Sequence, residues 1–264
     1  MLATLLIYLG IGVIAGVLAG LLGVGGGLVI VPALAIAFTL QGIPDSVLMH
    51  LAVGTSLATI VVTSIASVRA HHQHGAVRWR EFALLTPGIV FGALAGAAIA
   101  GWLPGATLRT LFGLFALTVA LQMGFGLKPS PHHQLPEPPG MSLVGALIGA
   151  VSAVVGIGGG SMTVPFLAWC NVPVRQAVAT SAACGLPIAL AGAAGFMLTG
   201  WGHADLPAYS SGFIHWPAFA GIVTTSMLFA GVGARLAHSL PTVTLKRVFA
   251  LFLTGVGLHL LFGN

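Results

Sequence analysis

Charge is what this sequence has least of. Of its 264 residues 5% are Asp, Glu, Lys or Arg and 57% are hydrophobic, whereas soluble domains carry about 25% charged residues. The mean hydropathy is +1.06. A soluble protein of this composition would expose large aggregation-prone patches, and lipid is the solvent that tolerates it. Acid is the scarcer sign: Asp45, Glu81, Glu137 and Asp205 are the whole set, and all four fall in predicted loops or span ends. A cation transporter or a carboxylate proton relay places an acid at a span centre, so neither is expected. Cys170 and Cys184 sit in apolar stretches without metal-ligand spacing, which excludes a disulfide framework and reads as small buried hydrophobes. No acid–base or nucleophile pair lies within the apolar segments, so no enzyme and no cofactor are expected. No Lys or Arg precedes the first apolar run and no clear small-residue cleavage site follows it, so residues 1–22 read as mature structure rather than a signal peptide.

What is present is a series of apolar stretches separated by polar punctuation. Spans are predicted near 2–22, 48–68, 82–101, 106–127, 141–155, 176–199, 215–238 and 242–262. A Pro-rich linker, 128–140, cannot be a helix interior. Two shorter apolar pieces, about 28–40 and 160–170, follow glycine clusters. At roughly 1.5 Å per residue they reach only ~15–20 Å, short of a ~30 Å hydrocarbon core. The two halves repeat each other in order. Gly23-Val24-Gly25-Gly26-Gly27 with Pro32 matches Gly156-Ile157-Gly158-Gly159-Gly160 with Pro165. Ala52-Val53-Gly54-Thr55-Ser56 matches Ala177-Val178-Ala179-Thr180-Ser181. Leu103-Pro104 with Arg109 and Phe112 matches Leu240-Pro241 with Lys246 and Phe249.

Basic residues choose between two topologies, because Lys and Arg collect in cytoplasmic loops. If each glycine segment folds back as a hairpin, Arg69, Arg78, Arg80, Lys128, Arg175, Arg235, Lys246 and Arg247 share the cytoplasmic side and Arg109 alone lies outside. If each glycine segment crosses once, the bias disappears. The expected fold is therefore an all-α polytopic membrane protein of two inverted repeats. Each repeat is a glycine-broken re-entrant hairpin plus three transmembrane helices. The N-terminal repeat is 1–127, the linker 128–140 is cytoplasmic, the C-terminal repeat is 141–264, and both termini are extracytoplasmic.

Backbone that turns inside a bilayer must face protein or a polar cavity, and inverted repeats with helices broken at mid-depth mark secondary transporters. Half-helices beginning after Gly27 and Gly160 present unpaired N–H groups and partial positive charge to the membrane centre. Two such ends form an anion site. The candidate substrate-binding residues are the glycines Gly23, Gly25, Gly26, Gly27, Gly156, Gly158, Gly159 and Gly160. To these are added the hydroxyls of Thr55, Ser56, Ser161, Thr180 and Ser181, with Thr163 nearby. Glycines also serve close helix packing, and hydroxyls also bond their own helix backbone. His71, His72 and His74 lack the partners of a metal site and read as interfacial. His50, His259 and Arg109 lie near outer span ends, where Arg109 either anchors at the interface or attracts anions. Trp79, Trp102, Trp201 and Trp216 fall near predicted interfaces, as an aromatic belt does.

The paired GVGGG…P and GIGGG…P segments, the AVGTS and AVATS stretches and the HHQHGAVRW loop resemble the sulfite exporter TauE/SafE family, also called the toluene sulfonate uptake permease family. The resemblance covers nearly the whole chain. It implies movement of a sulfur-containing anion (sulfite, thiosulfate or an organosulfonate) across the bacterial inner membrane, with the glycine segments and the Thr-Ser pairs as the positions that carry over. The connection after the second glycine segment, 171–176, is shorter than that after the first, 41–51, a departure from strict two-fold symmetry. The partners expected are that anion, membrane lipid and a second copy in a homodimer, and no nucleic acid. The alternative expectation is a transporter or channel for another solute, such as a metal ion held by the His-rich loop.

Overall fold

A computed structural model describes residues 2–22, 26–126, 133–239 and 242–263. In lipid every backbone polar group must be satisfied within its own segment, and the described chain answers with ten helices and one short hairpin. The first five helices are α1 (Leu2–Leu22), α2 (Gly27–Leu40), α3 (Asp45–Gln73), α4 (Trp79–Trp102) and α5 (Gly105–Gly124). The last five are α6 (Pro138–Val155), α7 (Gly160–Trp169), α8 (Val174–Thr199), α9 (Trp216–Ser239) and α10 (Thr242–Phe262). Between α8 and α9 lie two antiparallel two-residue strands, β1 (Ser210–Ser211) and β2 (Ile214–His215). Prolines set several helix starts: Pro44, Pro104 and Pro173 sit at the N-caps of α3, α5 and α8 in extended backbone. A proline there gives up an N–H that the helix would leave unpaired anyway.

Six helices are long and apolar enough to cross a membrane among the described residues. They include α3, α4, α5, α6, α8 and the 245–262 part of α10. α2 has 14 residues and α7 has 10, so each rises only about 15–21 Å. Both fold back toward the start of their own segment. The Tyr8 hydroxyl at the beginning of α1 donates to Gln41 Oε1 just beyond α2, at 2.9 Å. In the second half, Asn171 Nδ2 just beyond α7 donates to the carbonyl of His133, ahead of α6, at 3.0 Å. The ring of His133 rests on that of Trp169, with centroids 4.3 Å apart.

Several helix contacts keep their form when the first five helices are exchanged for the last five, although the α1–α2 and α3–α5 contacts have no comparable counterpart. α4 packs on α6 as α9 packs on α1, α4 on α8 as α9 on α3, and α2 on α3 as α7 on α8. α3 and α8 pack on each other, and so do α5 and α10. Close-contact positions give the directions. Gly54 of α3 lies against Phe196 of α8, and Gly185 of α8 lies against Ser64 of α3, so the two helices run antiparallel. Gly113 of α5 meets Leu261 and Gly124 meets Ala250, so α5 and α10 are antiparallel as well. In the α4–α6 contact Gly88, Gly92 and Gly96 meet the backbone of Ser142, Ala146 and Ala150, which makes this pair parallel. In the α1–α9 contact Gly12 and Gly16 likewise meet Ile222 and Ser226. Small residues let membrane helices approach to backbone contact where lipid supplies no hydrophobic drive between them. The packing reading of isolated glycines therefore holds for these two interfaces.

The expected spans differ from the helices mainly at their ends. α3 starts at Asp45 and continues through His71 and His72, because the polar residues at its end extend the helix past the apolar core. The β1–β2 hairpin stands in what reads from sequence as a plain loop, 200–214.

Candidate functional site

The site is built on the two chain breaks. α6 ends at Gly156, which takes a left-handed conformation with φ 78°. Its N–H and that of Ile157 both donate to the Ser152 carbonyl at 2.9 Å, which closes the helix end. Gly159, also left-handed with φ 72°, opens α7. A side chain at either position is strained. The first intrahelical donors of α7 are Met162 and Thr163, both to the Gly159 carbonyl, so the N–H groups of Gly160 and Ser161 precede the ladder. α2 begins the same way, with Val29 and Ile30 donating to the Gly26 carbonyl. The two breaks touch. A Cβ on Gly27 would fall 2.5 Å from the Gly156 oxygen and 2.9 Å from Ile157 Cα. Ser56 of α3 donates to that same Gly156 oxygen at 2.9 Å, pinning the turn.

A cavity of about 560 Å³ starts at the breaks, where Gly26, Gly158 and Gly160 line it. It runs along Thr63, Ser64 and Ser67 of α3 and between Ser181 of α8 and Ser226 of α9. Ile30, Ile60, Ala15 and Met227 supply apolar wall, and His71 stands at the far end of α3. That end is the one bearing Arg69, Arg78 and Arg175. Among the described residues the cavity lining contains no Asp, Glu, Lys or Arg.

The predicted residues separate, with Ser161 in the first turn of α7 and outside the cavity lining. Gly23 and Gly25 lie outside the described residues. Gly26, Gly158, Gly160 and Ser181 reach the cavity. Gly27, Gly156 and Ser56 form the contact between the breaks rather than the cavity wall, and Gly159 lies against Ile188 of α8. Thr55 and Thr180 go elsewhere, to equivalent places. Thr55 Oγ1 accepts the His215 N–H and Thr180 Oγ1 accepts the Arg78 N–H, each at 3.0 Å. Each donor is the residue just before the tryptophan that opens the next helix, Trp216 or Trp79. These hydroxyls fasten loops. Four hydroxyl oxygens close to the second break are buried without a partner among the described residues: those of Ser152, Ser161, Thr163 and Ser181. Thr163 is fully buried and Ser181 is 2% exposed. Ser64, Ser67 and Ser226 are cavity residues that sequence reasoning missed. Their only signal is a hydroxyl on an otherwise apolar helix, too common to single out.

The β1–β2 hairpin stands at the end of the molecule away from His71. Phe213, in the turn of the hairpin, packs between α3 and α8. Its N–H donates to the Phe196 carbonyl at 3.1 Å, its carbonyl lies against Gly54, and its ring stacks on His50 at 4.8 Å and lies 5.9 Å from His203. Gly212, left-handed with φ 54°, makes the turn. At the other end the equivalent turn has left-handed Gly75 followed by Ala76, which packs with Val77 on Ala179 and Ala183. A phenylalanine plugs one end and an alanine occupies the matching place at the other. His215 is buried beside Tyr8 and Phe38, and its burial pushes it down to about 4.

The remaining candidates have local partners. His50 Nε2 lies 3.0 Å from the Ala100 carbonyl and 3.1 Å from that of Leu103. It ties the start of α3 to the end of α4. Arg109 donates to the carbonyls of His259 and Gly263, where a cation offsets the partial negative charge of the α10 C-terminus. The histidines of the HHQH stretch disperse: His71 lines the cavity, His72 meets the edge of Trp79, and His74 bonds the Ala70 carbonyl. Glu81, one of the four acids, is buried in the first turn of α4 and pairs with Arg78 at 2.7 Å.

Comparison with known proteins places this architecture. A protein of Haemophilus influenzae named as a probable membrane transporter protein is 38% identical over 97% of this chain and 97% of its own length. One of Xylella fastidiosa with the same description is 30% identical over 98% of this chain and 95% of its own. The Bacillus subtilis probable membrane transporter protein YunE is 25% identical over 96% and 95%. No solved structure matches. The family model described as "Sulfite exporter TauE/SafE" matches residues 8–260, so this multi-pass membrane protein belongs to the TauE/SafE family of membrane transporters.

Proposed function

We propose that the chain is a secondary transporter that moves a small sulfur-containing anion across the bacterial inner membrane by alternating access. The anion is sulfite, thiosulfate or an organosulfonate. The observation that carries the reading is the cavity. It runs from the two half-helix starts, where Gly26 and Gly160 line it, along α3 to His71 at the basic end of the molecule, while Phe213 packs between α3 and α8 at Gly54. Backbone N–H groups of α7, with the hydroxyls of Ser161 and Ser181, hold the anion's oxygens, and apolar walls accept any organic part. Gly23 and Gly25 complete the first glycine segment in this reading. Thr55, Ser56 and Thr180 position the frame around it.

The repeats in this proposal are inverted, 1–127 against 141–264 about the 128–140 linker. Support comes from helices that exchange packing partners while their counterparts, α3 with α8 and α5 with α10, run antiparallel. A repeat related by an axis along the membrane normal keeps counterparts parallel instead. Re-entrant hairpins fit the Tyr8–Gln41 and His133–Asn171 hydrogen bonds. Basic residues at the cavity mouth make that side cytoplasmic, and both termini extracytoplasmic. The structure is then the inward-open state. Rocking of one repeat on the other withdraws Phe213 from between α3 and α8 and closes the hydroxyl-lined face.

The test is flux. Purified protein in liposomes is expected to move at least one of radiolabelled sulfite, thiosulfate or a small alkanesulfonate. Folded, monodisperse protein that moves none of them sinks the proposal.

A further inference from the structure

Matched positions of the two halves face an open space in one half and a closed one in the other. We propose, resting on the anion-transport and inverted-repeat readings above, that Ser152 and Thr163 are substrate-binding residues of the opposite-facing state. They line a second cavity, shut in this structure, between the α4–α6 pair and α3 with α8.

Close contacts fix which residues match. In α1, Gly12 meets Ile222 of α9 and Gly16 meets Ser226. In α6, Gly145 meets Leu85 of α4 and Gly149 meets Ile89. The spacings are the same on both helices of each pair, so Gly16 answers to Gly149. Three residues on, Ala19 answers to Ser152. The glycine segments continue this register, since Gly26 and Gly159 are the N-caps of α2 and α7. Four residues on, Ile30 answers to Thr163. Ala19 and Ile30 both line the cavity. The cavity exists because the α1–α9 pair stands off from α3, whereas in the other half α4 packs much more extensively on α8. Ser67 of α3 and Ala182 of α8 line the open space. Their counterparts, Gly192 and Leu57, touch: a Cβ on Gly192 would lie 2.9 Å from Leu57 Cδ1, and Leu57 is fully buried. The second space is filled by its own walls.

The hydroxyls inside it have nothing to bond. Ser152 and Thr163 are both 0% exposed, and neither side-chain oxygen has a partner among the described residues. A helical hydroxyl commonly bonds the carbonyl one turn back, as Thr86 and Thr199 do at 2.7 and 2.9 Å. A buried polar atom without a partner is unfavourable, and the apolar Ala19 and Ile30 show that the matched places need no hydroxyl for packing. An oxyanion supplies the missing acceptor. Thr163 stands in the first turn of α7, its Oγ1 3.4 Å from where a Gly159 Cβ would be, beside the N–H groups that precede the helix ladder. Ser152 lies one turn before the same break. When α4 and α6 move off α8 as α1 and α9 now stand off α3, both hydroxyls face the opened space.

The experiment follows access and affinity separately. Ser152→Cys is exposed to a small membrane-impermeant methanethiosulfonate applied to one side of the membrane at a time. The parent chain, whose two cysteines are buried, is the blank, and Ser67→Cys marks the side on which the present cavity opens. Reaction from the side opposite to Ser67→Cys, slowed by transported anion, is the expected result. A transport-competent Ser152→Cys that reacts from neither side, or from the Ser67 side, overturns the second cavity. Ser152→Ala and Thr163→Val are then assayed with sulfite, thiosulfate and methanesulfonate supplied on that opposite side. KM is expected to rise at least about tenfold for whichever anion the parent moves, as loss of a hydrogen bond to a charged ligand gives. The ligand-free melting temperature is expected to stay the same or rise, because neither variant loses a bond within the protein. An unchanged KM, or a lowered melting temperature, in both variants overturns the ligand role. If the folded parent moves none of the three anions, the transport reading and the ligand role fall together, and labelling at position 152 still decides the second cavity.

Discussion

At the scale of single residues, the most telling position is Gly27. A methyl group there meets the Gly156 oxygen and Ile157 Cα, both backbone and neither able to move without shifting the second break. Gly27→Ala is therefore expected to abolish transport, while Gly10→Ala, with nothing within 4 Å of the added carbon, leaves flux and expression as they are. Equal activity in the two variants contradicts the role given to the break. Ser56→Ala removes the donor to the buried Gly156 oxygen. It is expected to destabilise the protein by about 1–3 kcal/mol, read as a lower melting temperature in detergent. The glycine segments were legible in the sequence because a backbone that turns left-handed, as at Gly156 and Gly159, excludes other side chains. The Thr-Ser pairs were legible only as pairs. Successive helical residues point about 100° apart, so Thr55 and Thr180 reach loops while Ser56 reaches the break and Ser181 the cavity. No pattern in one sequence says which member faces which way.

At the scale of elements, length against bilayer thickness identified two pieces, about 28–40 and 160–170, as too short to cross, and α2 and α7 have closely those extents. The Pro-rich linker ends earlier than expected: α6 begins at Pro138, since proline is tolerated in a first helical turn, and 128–132 lie outside the described residues. The β1–β2 hairpin was missed because two-residue strands carry no alternation to detect. Its energetics are testable through His215. Burial lowers this histidine from the ordinary 6.5 to about 4, so between those values the unfolded chain binds a proton that the folded hairpin does not. Its contribution is complete above about pH 6.5 and is lost as pH falls toward 4. Melting temperature is expected to fall over that window, and His215→Gln to flatten the fall. An unchanged pH profile in the variant rules this histidine out as the source. In the α4–α6 contact, Gly92→Leu drives a side chain into the Ala146 backbone. Separation of these helices is the expected result, seen as loss of the monodisperse peak in size-exclusion chromatography. The same change at Gly231, whose added carbon meets nothing, is expected to be tolerated.

At the scale of the molecule, the proposed alternating access draws on the matched packing of the two halves, and the departures from that match set which side the cavity faces in the proposal. Phe213 fills the closed end and Ala76 the matching place at the open end. Phe213→Ala is expected to make a cysteine introduced at Met49, buried in the parent protein, reactive to a membrane-impermeant maleimide. Continued protection of that cysteine contradicts the plug. The family was legible from the three matched segments, and the proposed repeat rests on the same segments. The cavity was not, because it depends on how α1 and α9 stand off from α3 and α8, which no local pattern encodes.

The central claim is that the substrate travels through the cavity between these helices. Ser67 lines it partway between the breaks and His71, and the two native cysteines are buried. Ser67→Cys, reconstituted in liposomes, is to be treated with a bulky maleimide and assayed for sulfonate flux, with and without substrate present during labelling. Labelling that stops transport and is slowed by the substrate is the predicted result. Complete labelling with undiminished flux contradicts the account.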